Sequence, residues 1–203
     1  MIHDYVLNFN QGIGQGNISA YVGSSFQEDR SIFSLSEAVN FPTDGFRGLS
    51  SGAEPVTTNG GETGSNLNSY FGGINYNFKD KYYITTTFRA DGSSRFLRNK
   101  WGYFPGVSVA WNILNETFLA DSPFSTLKLR GGWGQTGNNN IGNFAALQLF
   151  GGGANYLDNP GTGPTSLGNP DLKWETTTQT NVCLLYTSPS PRDLSTSRMP
   201  SSA

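Results

Sequence analysis

Two hundred and three residues suffice for one domain of ordinary size or for a piece of something larger. Only 14% of them are charged against a typical ~25%, while 26 are Gly, 20 are Asn and 13% are aromatic. A chain poor in charge, rich in rings and still hydrophilic on average suits strands with one greasy face and one neutral polar face. It argues against helix bundles.

Several classes drop out. No run approaches the ~18 consecutive apolar residues of a spanning helix, which excludes a helical membrane protein. Net charge is −2 and the 13 Lys and Arg are scattered, so nucleic acid finds no electrostatic footprint. One Cys and one His cannot build a disulfide framework or a Cys/His metal site, and nothing requires a cofactor. His3 is lone and terminal, acidic residues are sparse, and no acid/base pair stands on an identifiable cleft, so the chain does not read as an enzyme. The opening Met1-Ile2-His3-Asp4-Tyr5 has no basic or apolar leader. Either the protein is not exported or its true start lies upstream, and the strand pattern favours the second.

Period-two alternation runs through most of the chain. Short strands are expected at 5–9 (Tyr5, Leu7, Phe9) and 18–26 (Ile18, Ala20, Val22, Phe26). At 70–78, Tyr70, Gly72, Ile74, Tyr76 and Phe78 oppose Phe71, Gly73, Asn75 and Asn77. At 81–90, Tyr82, Ile84, Thr86, Phe88 and Ala90 oppose Lys81, Tyr83, Thr85, Thr87 and Arg89. At 103–113, Tyr103, Pro105, Val107, Val109, Trp111 and Ile113 oppose Phe104, Gly106, Ser108, Ala110 and Asn112. At 126–136, Leu127, Leu129, Gly131 and Trp133 oppose Thr126, Lys128, Arg130, Gly132 and Gly134; a weaker strand follows at 172–182 (Leu172, Trp174, Val182).

The connections carry a second signal. They run 10–17 (short), 27–69 (long), 79–80 (very short), 91–102 (medium), 114–125 (medium-short) and 137–171 (long). Transmembrane β-barrels sort their loops this way, with tight turns at one end and extended loops at the other. Strands 18–26, 81–90 and 126–136 then run outward, while 70–78, 103–113 and 172–182 return. Tyr70, Phe78, Tyr82, Tyr103, Trp111, Trp133 and Trp174 lie near strand ends, as interfacial girdles require. A soluble sandwich alternates too, but has no reason to sort its loops. It stays open as the rival: a soluble all-β carbohydrate-binding or adhesive module with 27–69 and 137–171 as its ligand end. A secreted β-rich hydrolase is a third reading, without a nameable acid/base pair.

From Cys183 the alternation is expected to stop. Residues 183–203 hold three Pro and six Ser without periodicity. The run Cys183-Leu184-Leu185-Tyr186-Thr187-Ser188-Pro189-Ser190-Pro191-Arg192-Asp193 resembles the translation of a transposon-based sequencing adapter. The expected division is 1–182 as a barrel segment and 183–203 as a non-native tail outside the fold. The genuine part then has no thiol, in keeping with an oxidising, extracytoplasmic address.

Seven blocks occur in order: Tyr70-Phe71-Gly72, Asn75-Tyr76-Asn77-Phe78-Lys79-Asp80-Lys81-Tyr82, Arg89-Ala90-Asp91-Gly92-Ser93-Ser94-Arg95-Phe96, Trp101-Gly102-Tyr103-Phe104-Pro105, Leu127-Lys128-Leu129-Arg130, Gly134-Gln135-Thr136-Gly137-Asn138-Asn139 and Asn169-Pro170-Asp171-Leu172-Lys173-Trp174-Glu175-Thr176. Over 70–143 and 169–181 the sequence thereby resembles the SusC/RagA family of TonB-linked outer-membrane proteins. The resemblance implies an all-β fold: about seven strands of a partial antiparallel transmembrane β-barrel, out of about 22 around a plugged lumen. It further implies import of oligosaccharide or peptide nutrients across the cell outer membrane, with lipid around the barrel and a SusD-like lipoprotein lid above it. Energy would come from the TonB complex, acting through a plug and TonB box that this stretch lacks.

Candidate chemistry is sparse. Gly131-Gly132-Trp133-Gly134-Gln135-Thr136-Gly137 lacks the Gly-Lys-Ser/Thr ending of a phosphate loop and reads as bends in a strand. Asp91-Gly92-Ser93-Ser94 lacks the spaced acids of a calcium loop and is expected to be a tight turn, with Arg89 and Arg95 bracketing Asp91. Lys128 and Arg130 share a strand face and should point into the lumen with Arg89, because charge on the lipid side costs roughly 2–4 kcal/mol at mid-depth. Trp101, Tyr103, Asn138, Asn139 and Asn140 fall at the outer rim or in loops, where aromatic faces and amides suit sugar or peptide. The substrate- or plug-facing candidates are therefore Arg89, Lys128, Arg130, Trp101, Asn138 and Asn139, with no catalytic, cofactor or metal residue among them.

Overall fold

Alternation along a strand becomes segregation across a sheet only if neighbouring strands keep one register, since a one-residue slip exchanges the faces. A computed structural model describes residues 1–46, 48–119, 124–157 and 159–187. Among these residues nine strands form: β1 Ile2–Ile13, β2 Gly16–Val39, β3 Glu54–Phe78, β4 Tyr82–Ser93, β5 Trp101–Asn112, β6 Thr126–Asn138, β7 Leu149–Gly152, β8 Thr162–Ser166 and β9 Glu175–Thr187. Seven build one antiparallel sheet in the order β1-β2-β3-β4-β5-β6-β9, while β7 and β8 make a separate hairpin. The sheet does not close.

The register holds the predicted faces together across all seven strands. Ile18 lies opposite Tyr76, Tyr76 opposite Ile84, Ile84 opposite Val109, and Leu129 bridges Trp111 to Leu184. No second layer covers this face: Ile74 is 48% exposed, Val109 52%, and Leu7, Val22 and Val182 are likewise open. A sandwich would place a second sheet about 10 Å away; among the described residues none does so. The rings expected at strand ends flank the apolar band. Tyr82 stacks with Trp111 at 6.3 Å at one level, and Tyr70 with Trp101 at 5.9 Å at the other. From Phe78 to Tyr70 is about 27 Å along the strand, or about 21 Å along the membrane normal at a 35–45° tilt. With the rings at both ends, that fits a hydrocarbon band of ~25 Å.

Three expectations need correction. Residues 27–69 are not a loop, because β2 and β3 continue as one long hairpin from Gln27↔Leu67 to Val39↔Glu54. Their 24 and 25 residues far exceed the ~9–11 that cross a bilayer. Both faces of the extension are dominated by Ser, Thr, Gly and charge, so the sequence lacks the apolar contrast that reveals a strand. Loop sorting is also looser than expected: the β4–β5 connection at 94–100 is shorter than the β5–β6 connection, which holds 3-10 turns at Ile113–Asn115 and Thr117–Leu119. Finally, alternation does not stop at 182. β9 pairs with β6 as far as Thr187, with Leu184 and Tyr186 on the apolar face and Cys183 and Leu185 on the other. Residues 188–203 lie outside the described part.

The tight end of the sheet is set by local chemistry. β1 and β2 join through Gly14 at φ 59°, and β3 and β4 through Lys79 and Asp80, both at positive φ as a type I′ hairpin requires. Neither of the latter is Gly, and the turn is held by Asn77, which donates to Asp80 Oδ1 at 2.5 Å and accepts from the Asp80 amide at 3.1 Å.

Among the described residues β1 and β9 each keep one unpaired edge, which is an aggregation template in water and is not tolerated in hydrocarbon. The isolated 203-residue chain is therefore expected to give neither a heat-resistant monomer on gels nor discrete conductance steps in planar bilayers. A stable monomer with unitary steps would contradict the open sheet.

Candidate functional site

With one face turned outward and bare, packing concentrates where loops fold over the long-loop end of the sheet. Phe96, Phe104 and Trp174 form the buried apolar cluster, with Leu67, Ile141 and Leu172 against it. Phe96 is 1% exposed; the Trp174 ring lies 5.4 Å from those of Phe96 and Phe104, and its Nε1 donates to the Lys100 carbonyl at 2.9 Å. Trp174 thus belongs to a knot under the loops, not to a membrane girdle. It also precedes β9 instead of lying within it.

Polar bonds extend the knot. Arg95 donates to Asn143 Oδ1 at 2.8 Å and to the Asn139 carbonyl at 3.1 Å, and Asn143 donates to Thr63 Oγ1 at 2.7 Å. The β4–β5 loop, the β6–β7 loop and the base of the long hairpin are thereby tied together. Asp91, Gly92 and Ser93 continue β4, and the reversal begins at Ser94. Of the two arginines expected to bracket Asp91, only Arg89 does so.

Arg89 Nε donates to both Asp91 oxygens, at 2.8 and 2.7 Å, and Nη2 donates to Ser69 Oγ at 2.9 Å. Asp91 and Ser69 are buried, and the guanidinium lies 5.8 Å from the Phe71 ring centre. Lys128 is on the same sheet face, with Nζ 4.6 Å from the Tyr83 ring centre. Arg130 is exposed there, opposite Ala110. The other candidates go elsewhere. Trp101 shares the apolar outer face with Tyr70 and Tyr103, so it does not face the lumen. Asn138 donates to Glu175 at 3.1 Å and caps the Asn140 amide at 2.9 Å, and Asn139 reaches Ser93 Oγ at 3.5 Å. Both amides close a loop. The structure therefore gathers Arg89, Lys128 and Arg130 on one wall, at different heights, and separates Trp101, Asn138 and Asn139 from it.

The sequence reading missed a second cluster, at the tight-turn end. Glu116, between β5 and β6, accepts from Lys81 Nζ at 2.8 Å, Tyr82 OH at 2.6 Å and Trp111 Nε1 at 3.2 Å. Its side chain is 14% exposed. The bond from Lys81, then that from Tyr82, lower its pKa from 4.5 to about 2, with burial opposing and Trp111 assisting. A lone acid is invisible to alternation; the only sequence signal is an unpaired Glu near a strand end whose neighbours carry Trp and Lys.

A family model described as TonB dependent receptor-like, beta-barrel matches residues 2–190. The chain belongs to this family. It is 44% identical over 131 residues to the TonB-dependent receptor SusC of Bacteroides thetaiotaomicron, covering 60% of the chain and 13% of SusC. It is 42% identical over 127 residues to TonB-dependent receptor P39 of Formosa agariphila (62% and 12%), and 34% identical over 185 residues to receptor P3 of that organism (88% and 18%). The RagAB peptide importer in its closed-closed state superposes at TM-score 0.84 with 26% identity, over 92% of this chain and 21% of that one. The open-open state gives 0.80 with 28% identity over the same shares. This chain therefore spans only about an eighth to a fifth of the relatives it matches, and it is a SusC/RagA-like TonB-dependent receptor segment.

The two clusters give two expected outcomes. Trp174→Ala removes the centre of the knot at a cost of about 3–5 kcal/mol, and limited proteolysis should then cut first within 94–100 and 139–174. Glu116 has a lowered pKa, so its contribution is complete above pH 4.5 and disappears as pH falls through about 2. In the full-length receptor carrying this segment, denaturation midpoints of wild type and Glu116→Gln should differ at pH 7 and converge as pH falls from 4.5 to about 2.

Proposed function

We propose that this chain is a barrel segment of an outer-membrane TonB-dependent nutrient importer. The observation that carries the reading is the continuous apolar face, bare across seven strands and flanked by rings, in a chain of this family. Outer-membrane lipid covers that face. The opposite face, with Arg89, Lys128 and Arg130, lines a lumen shared with a plug and with an oligosaccharide or peptide in transit. Likeness to SusC and to the RagAB importer supports a SusD-like lipoprotein over the loop end and a TonB complex acting through the plug. Transport, not catalysis, is the activity.

The tail from Cys183 is proposed to be translated adapter sequence, on the wording of that run alone. Pairing of Cys183–Thr187 with β6 leaves the proposal intact, because backbone hydrogen bonds extend an edge strand whatever the origin of the residues. Amplifying the source DNA across codons 175–195 tests it: a native sequence that continues the reading frame unchanged through 203 refutes an adapter origin.

The membrane reading is tested by adjacent residues on opposite faces. In the full-length receptor carrying this segment, Val109→Arg should destabilise folding into lipid vesicles by about 2–4 kcal/mol, while Ser108→Arg should shift it little. Urea titration by fluorescence measures both. Equal effects would mean that lipid does not cover the apolar face.

A further inference from the structure

We propose that the loop-side part of the β5–β6 junction is a hinge in the wall, on which two blocks of loop move apart over the lumen mouth. The proposal rests on the transporter reading and adds a moving part to it.

The two strands are neighbours but stop pairing early. Their ladder ends at Gly106↔Gly134. β5 nevertheless continues to Trp101 against β4, and β6 continues to Asn138 against β9. One residue accounts for the break. The Asn112 amide donates to the Lys81 carbonyl, and the Ser93 amide donates to the Lys100 carbonyl. Even-numbered residues of β5 therefore turn their backbone groups to β4, and odd-numbered ones turn theirs to β6. Pro105 is the first odd position past the last rung, and it has no N–H to give. Tyr103 and Trp101 follow, with backbone groups aimed at a strand that does not pair with them.

Side chains join the strands where the backbone does not. The Phe104 ring lies against Gly137 of β6, where a Cβ would overlap it. Trp174 packs on Phe104 with ring centres 5.4 Å apart, and a Cβ on Gly102 would stand 2.9 Å from its ring. Beyond the strands, 94–100 meets 139–174 through Trp174 on the Lys100 carbonyl, Arg95 on Asn139 and Asn143, and Arg98 on Asp171 at 3.0 Å. Asn99 on the Asp171 carbonyl, Asn139 on Ser93 and Asn143 on Thr63 complete the set. Among the described residues no backbone–backbone hydrogen bond crosses from 94–105 to 135–174.

Such a junction can open. Both members of the Arg98–Asp171 pair are largely exposed, at 67% and 70%, and exposed pairs hold weakly. Hinges absorb their change in a few terminal residues of an element. Here the last rung joins two glycines, whose backbones have the widest freedom. Water can follow the opening, because a concavity of about 350 Å³ borders Pro105, Gly106, Gly134 and Gln135. Backbone groups without a strand partner are tolerated at membrane depth only beside water or protein. From Gly106 to Asn112 the ladder is complete, so the apolar face keeps its register while the loop side moves.

The test uses the full-length receptor carrying this segment, in lipid nanodiscs and in a background without other thiols. Spin labels on Cys introduced at the exposed Leu97 and Leu167 mark the two blocks, and double electron–electron resonance reads their separation. Labels at Ile74 and Val182, which span the same junction within its laddered part, are the reference. The Leu97–Leu167 distribution is expected to be at least twice as wide as the reference. Pro105→Val supplies the missing N–H and should narrow it to the reference width. Arg98→Ala removes the exposed ion pair and should shift it to longer distances. A wild-type distribution as narrow as the reference overturns the hinge, and so does a width that Pro105→Val leaves unchanged. If Pro105→Val is not recovered, an unchanged distribution in Arg98→Ala overturns it equally. Those failures leave the transporter reading standing as long as the receptor is recovered as a heat-modifiable barrel. A receptor absent from the outer membrane removes that reading and the hinge with it.

Discussion

A chain in hydrocarbon has no water to satisfy its peptide groups, so each N–H and C=O inside the band must be paired by the chain itself. A seven-stranded sheet in which each strand from β2 to β6 pairs on both sides meets that constraint over most of its length, with β5 and β6 laddered from Gly106↔Gly134 to Asn112↔Lys128. Pairing also fixes the parity of every side chain, and the outer face then has to be apolar throughout. Leu7, Val22, Ile74, Ile84, Val109, Leu129 and Leu184 satisfy this on seven different strands. The same constraint accounts for how little of the described chain is buried: no second layer among the described residues covers that face, and a segment of a barrel has no interior core to fill.

Packing within the chain is accordingly confined to the two ends of the sheet, and the ends use different chemistry. At the long-loop end, three rings and the Arg95–Asn143–Thr63 bonds bind segments distant in sequence, because long connections need an apolar centre to order them. At the tight end, one carboxylate is enough. Glu116 collects donors from the start of β4, the end of β5 and the turn before β4, so two neighbouring hairpins share one anchor.

What could be read from the sequence follows from the same physics. Facial assignments at 70–78, 81–90, 103–113 and 126–136 were legible because lipid on one side and polar surroundings on the other impose full contrast. The hairpin beyond Gln27 and Leu67 leaves the band, loses the contrast and looks like a loop. Trp174 carries the marks of a girdle residue, an aromatic near a strand end, and only its Lys100 and Phe96 partners reveal the knot. Glu116 joins groups 35 residues apart, beyond any local pattern. Arg89, Lys128 and Arg130 could be placed on one face by parity alone, and Trp101 leaves that face because β5 begins at 101, two residues earlier than the alternation suggested. At the tail the strand was expected to end five residues early, because apolar residues on both faces of Cys183–Thr187 and the Pro and Ser beyond them hide its continuation.

The outer face also frees the inner one. Glycine weakens a strand, since it brings no side chain to pack and more entropy to lose. Yet Gly12, Gly23, Gly73, Gly102, Gly106, Gly132 and Gly134 fall on the polar side, against Gly16, Gly72, Gly92 and Gly131 on the apolar one. They are tolerable there because register is pinned from the opposite face, where slippage would put Asn, Ser and Arg into lipid. A wall whose alignment does not depend on its own side chains can be thin, and a thin wall lets rings such as Tyr21 lie against the backbone. It also leaves the few charged groups, with Arg89 clamped by Asp91 and Ser69, as fixed features on an otherwise neutral surface. The distinctive features of this wall are therefore a few side chains held by their neighbours, and the register pinned by the apolar face keeps them in place.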